Sequence, residues 1–141
     1  MIREQDRAAY DELYAYAMTR GREAFILQHV VDAFAAQTAT DTTKPIAITF
    51  ALVGLYLHVE KGYSGLQVQR VHMELGRRKR EWPAIPLPPP HRGEMTAEDV
   101  LEVPPGPARD AAISDWCRSV WNAFAESHAT IAGLLGLIPD T

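Results

Sequence analysis

Apolar positions recur at three- and four-residue steps and no segment alternates with period two, so the chain predicts helices and no sheet. From Gln5 to Arg20, Tyr10, Leu13, Tyr14, Ala17 and Met18 fall on one helical face, and Gly21 closes the segment. A second helix is expected from Arg22 to Gln37, with Ile26, Leu27, Val30, Val31 and Phe34 on a broad apolar face. The Thr- and Asp-rich stretch from Thr38 to Thr43 reads as a loop. Pro45 suits the first turn of a third helix running to Lys61 and stopped by Gly62. That helix is apolar nearly all round, which places it in the middle of the domain, and Ala47, Ala51, Gly54 and His58 give it a strip where another helix can approach closely. A fourth, amphipathic helix spans Leu66 to Arg80.

Beyond it, Trp82 to Gly93 carries Pro83, Pro86 and three consecutive prolines at 88–90, so it is neither helix nor inner strand but a surface strap, a docking segment or a lid. Thr96 and Asp99 have the spacing of a capping box, which predicts a short helix from Ala97 to Glu102. The last helix, from Pro107 to Leu135, is the clearest: Ile113, Trp116, Cys117, Val120, Trp121, Phe124, His128, Ile131 and Leu135 form one stripe. The expected fold is all-α, a compact four- to five-helix bundle in one domain over residues 1–141, with a proline-rich strap on its surface.

Composition narrows the partners. With 47% hydrophobic and 23% charged residues in 141, the chain can form one core. A net charge of −4 offers no general attraction to nucleic acid or anionic lipid, and the run Arg77–Arg80 before Trp82 reads as a solvated helix end favoured by the macrodipole. The longest apolar run, Ile46 to Leu57, is too short to span a bilayer. The single Cys117 excludes an intrachain disulfide and a cysteine-based zinc cluster. With a charged N-terminus, these features point to a cytoplasmic protein without membrane or nucleic-acid partners.

Helical bundles build sites from inward His and carboxylate side chains. His128, Glu60, Asp32, His58 and His29 are the candidate ligands for a divalent transition metal. Their spacing is not diagnostic: there is no His-Glu-x-x-His, and His58 and Glu60 point about 200° apart on their helix. The plainer account makes each a satisfied polar group of the core. His128, among Trp121, Phe124 and Ile131, must find a polar partner, with Asp32 and Glu60 as candidates. Cys117 reads as an inert buried thiol.

Four segments occur together: Val-Asp-Ala-Phe at 31–34 with Gln37, Leu-Val-Gly-Leu-Tyr-Leu-His-Val-Glu at 52–60, Arg-Gly-Glu-Met-Thr at 92–96, and Trp116 with Trp121 and His128. Together they resemble a bacterial family catalogued as a domain of unknown function. The resemblance implies an Asp, an aromatic and a Gln near the end of the second helix, matched by Asp32, Phe34 and Gln37, though Thr38 and Ala39 stand where members often carry His-Pro. It implies the acid at Glu60 and a paired-Trp motif ending in His128, with Phe124 where a further Trp is expected. No activity comes with the resemblance.

The sequence therefore supports a bundle that binds a small ligand or partner without assigned catalysis, with Asp32, Gln37, Trp116 and Trp121 as ligand-binding candidates. The rival is a metal-dependent bundle enzyme using the five His and acidic residues. A third reading is a homodimeric interaction module packing through the strip from Ala47 to Gly54.

Overall fold

The structure, a computed structural model, describes residues 4–20, 26–78, 81–88 and 92–136. Among them the chain forms α1 (Glu4–Met18), α2 (Leu27–Gln37), α3 (Pro45–Lys61), α4 (Gly65–Arg78), α5 (Ala97–Leu101), α6 (Pro107–Ala123) and α7 (His128–Leu135), with a 3-10 turn at Ala125–Ser127 and no strand. The all-α class is as expected, but the count exceeds four to five. The expected stop of the first helix at Gly21, the start of the second at Arg22 and the end of the fourth at Arg80 lie outside the described residues.

The extra helix arises where the expected Pro107-to-Leu135 helix breaks. In an unbroken helix the Trp121 carbonyl would accept the N–H four residues on. Here it accepts the Phe124 N–H at 3.0 Å and the His128 Nε2–H at 2.8 Å. A tight turn follows, closed by the Ser127 N–H on the Phe124 carbonyl at 2.9 Å. Because a carbonyl only accepts, His128 carries its proton on Nε2.

α3 is central, packing against α2, α4, α6 and α7, as its all-round apolarity requires. It ends at Gly62, whose φ of 71° suits glycine, with the Gly62 and Tyr63 N–H groups on the His58 and Leu57 carbonyls. α2 and α6 complete the main core, in which Trp116, Cys117, Val120 and Trp121 are fully buried. α1 packs on α2 and α5. Tyr16 and Arg20 also tie it to the first turn of α6, both bonding Asp110 at 2.7 Å. The capping box of α5 is present in both halves.

The segment around Arg92 closes the bundle. Helices end with unpaired carbonyls, and Arg92 supplies donors for those of α2: its Nη1 reaches the Ala39 carbonyl at 2.6 Å, that of Gln37 at 3.2 Å and that of Ala36 at 3.3 Å. Gly93 follows at φ 87°, pressed against Ser119 so closely that a Cβ would overlap it. The Ser119 hydroxyl accepts the Glu94 N–H at 2.9 Å. Arg92→Ala should strip three carbonyls, two of them buried, of a charged donor and lower stability by about 3 kcal/mol, roughly 10 °C in Tm. Thermal unfolding followed by circular dichroism checks this, and a shift within 2 °C, about the size of a neutral surface change, would contradict the capping role.

Candidate functional site

Two regions of the bundle concentrate chemistry, on opposite sides of α2. The first is a buried polar seam between α2, α3 and α6. His29 opposes His58, and Asp32 opposes Gly54, so α2 and α3 run antiparallel. The two imidazoles stack with centroids 3.6 Å apart. One turn away the Asp32 carboxyl lies directly on Gly54, where any Cβ would overlap Oδ2. The small-residue strip of α3 is therefore covered by α2 of the same chain at Gly54 and His58. Ala51 is also buried, whereas Ala47 is exposed.

The seam is incompletely satisfied. Gln28 donates to Asp32 Oδ1 at 2.9 Å, but Asp32 Oδ2, His29 Nδ1 and, further along α3, Thr49 Oγ1 are buried without a hydrogen-bond partner. Burial raises the Asp32 carboxyl well above its ordinary range, with the Gln28 amide partly offsetting it. Burial likewise lowers His29 to about 3, with a smaller contribution from His58, and lowers His58 itself. Cys117 is buried with its thiol 3.5 Å from the His29 carbonyl, and burial, aided by Asp32, raises its pKa, so it is no nucleophile.

His58 holds α3 to α6. Its Nδ1–H donates to the Tyr63 carbonyl at 3.2 Å, which leaves Nε2 to accept the Ser114 hydroxyl at 3.1 Å. A neutral histidine on a serine is also the arrangement of a base and a nucleophile. Ser114, however, lies inside α6, where the helix uses the surrounding N–H groups and leaves none for an oxyanion.

The remaining expected residues form structural ties. The buried Trp121 indole N–H donates to Glu60 Oε2 at 2.8 Å, and its ring stacks on His128 at 3.8 Å. The buried Trp116 indole N–H donates to Gln37 Oε1 at 3.0 Å, and Gln37 Nε2 donates to the Met95 and Arg92 carbonyls at 2.7 and 2.9 Å. Each buried indole thus has an acceptor from another helix. The five metal candidates fall in two places: His29, Asp32 and His58 along the seam, Glu60 and His128 around Trp121. Among the described residues no three His, Cys, Asp or Glu side chains are grouped so that they could hold a metal ion.

The second region is a groove of about 760 Å³ between α1, α2 and the Thr38–Thr43 loop. Arg7 and Tyr10 line it from α1, Val31 and Phe34 from α2, and four threonines from the loop. The Tyr10 and Phe34 rings stack in parallel at 4.1 Å. Sequence reasoning assigned these rings to helix faces directed at the core and did not single out Arg7 or the threonines. Four threonines among six residues were the available signal.

The fold and its sites define a helical-bundle protein with a surface groove and a buried polar seam. The chain belongs to DUF5946, a family of unknown function whose model matches residues 7–125. No curated protein and no solved structure matches it. No helix among the described residues is long and apolar enough to cross a membrane.

Two predictions test the seam. Gly54→Ala should lower stability by more than about 4 kcal/mol, and adding Asp32→Ala should recover at least half of that loss. Additive losses in the double variant, measured by urea unfolding, would show that the two positions are not in contact. The second prediction concerns pH. His29 titrates near 6.5 when unfolded and about 3 when folded, so the unfolded chain binds more protons between those values and stability falls as pH drops through that window. Asp32 has the opposite sign: its folded pKa lies above 3.8, so its contribution is lost as pH rises from 3.8 through the folded value. As pH rises above about 4, Asp32→Asn should gain stability over the wild type increasingly with pH, and as pH falls from about 6.5 toward about 3, His29→Phe should lose less than the wild type. An Asp32→Asn gain independent of pH would mean that the carboxyl ionises normally in the fold.

Proposed function

We propose that the protein is a small-molecule-binding helical bundle and that the groove between α1, α2 and the Thr38–Thr43 loop is its binding site. The observation that carries this reading is the groove itself: about 760 Å³, within the usual range for small-molecule sites, with a stacked aromatic wall facing a guanidinium and several hydroxyls. Apolar wall and sparse polar groups are the combination that binds and orients a small ligand. The interior residues first considered for binding then act as scaffold. Gln37, Trp116 and Arg92 anchor the end of α2 from which the loop departs, and Asp32 fixes the separation of α2 and α3.

The test is a fragment screen by NMR with mapping of amide shifts. Binding fragments should perturb the amides of Tyr10, Phe34 and residues 38–43. Ala35→Trp, which places an indole on the lining at a half-buried position, should abolish those shifts while leaving the helical spectrum intact. Fragments that perturb only other surfaces, or bind unchanged to the Trp variant, would refute the groove as the site.

A further inference from the structure

We infer, resting on the groove as the binding site, that its ligand class is the small carboxylate with an aromatic or otherwise apolar body. The inference follows from which hydrogen-bonding groups on the lining are already used. Arg7 approaches Asp11 through Nε at 3.6 Å, with both side chains well exposed. The pair is therefore weak, and a guanidinium so loosely held can present an edge that takes two oxygens side by side. Arg7 also lies 5.6 Å from the centroid of the Tyr10 ring, which places its charge beside the aromatic wall.

The threonines add donors to that edge. Thr38 gives its hydroxyl hydrogen to the Phe34 carbonyl at 2.7 Å. The Thr43 hydroxyl accepts the Thr40 N–H at 2.9 Å and keeps its own hydrogen. Thr40 and Thr42 share one hydrogen bond at 2.9 Å, so one hydroxyl hydrogen of that pair is also left over. Two hydroxyl donors and a guanidinium edge therefore line one groove, and a hydrogen-rich lining is matched by a group that only accepts. A carboxylate has that character and carries the charge opposite to Arg7. Among the described residues Asp41, exposed on the loop, is the one carboxylate of the lining. Its charge is exposed to solvent and screened, so it opposes an anion only weakly, and the apolar body falls to Tyr10 and Phe34.

Phenylacetate and its neutral isostere phenylacetamide separate this inference from the groove reading. In titrations followed by NMR, phenylacetate should shift the amides of residues 38–43 and bind about tenfold or more tighter than phenylacetamide, the discrimination expected of one charge-assisted contact. Arg7→Gln, at an exposed position that leaves the fold intact, should erase most of that ratio, and Arg7→Lys, which keeps charge without the two-pronged edge, should restore part of it. Equal binding of both compounds in the groove would overturn the carboxylate class while leaving the groove as the site. The same holds if neutral fragments occupy the groove and phenylacetate does not. If neither compound nor any neutral fragment moves those amides, both readings fall. An Arg7→Gln protein that keeps the full ratio would also overturn the inference, because the carboxylate would then be held elsewhere.

Discussion

The contact of the Asp32 carboxyl with the backbone of Gly54 is the constraint on which the rest of the bundle depends. It sets the separation of α2 and α3 at one point, and only a residue without a Cβ can provide that surface. With this spacing set, His29 and His58 meet face to face one turn away, and α6 closes over both through Ser114 and Cys117. The contact is a costly one, since a carboxyl without full hydrogen bonding is disfavoured in a protein interior. Asp32 and His29 oppose each other in their effect on stability as pH changes, and the fold tolerates both because apolar burial around them is extensive.

A second layer of order comes from the tryptophans. Burying an indole ring contributes much apolar area but leaves an N–H that must be bonded. Trp116 takes Gln37 and Trp121 takes Glu60, so each ring recruits a polar residue from a different helix. Gln37 then uses its remaining hydrogens on the segment at 92–95, where Arg92 covers the open end of α2. The segments at 31–37, 52–60, 92–96 and 116–128 are thereby joined physically: Asp32 and Gln37, Glu60, the Arg92 segment, and the Trp116-to-His128 stretch form one chain of contacts.

α2 is thus two-sided. Its inner face carries the polar seam, and its outer face carries Val31 and Phe34 to the groove. The loop that completes the groove leaves from the end of α2 that Arg92 caps. For the binding role proposed above, this rigid anchoring means that side chains on a fixed scaffold need little ordering when a ligand arrives.

Much of this was legible in the residues alone. Helical periodicity, the central place of α3, the stop at Gly62, the capping box at Thr96 and the burial of the Trp116 stripe all follow from local pattern and spacing, which a sequence records directly. The break after Trp121 was not legible, because it depends on His128 folding back to the Trp121 carbonyl, and periodicity continues across it unchanged. The site was harder still. His29, Asp32, Glu60, His58 and His128 have the right chemistry for a metal, but whether side chains converge depends on how helices are rotated against one another. That rotation followed from the Asp32–Gly54 contact and from the partners each Trp found. The groove arises the same way: Arg7 and the threonines are more than thirty residues apart, and only the packing of α1 against α2 brings them together.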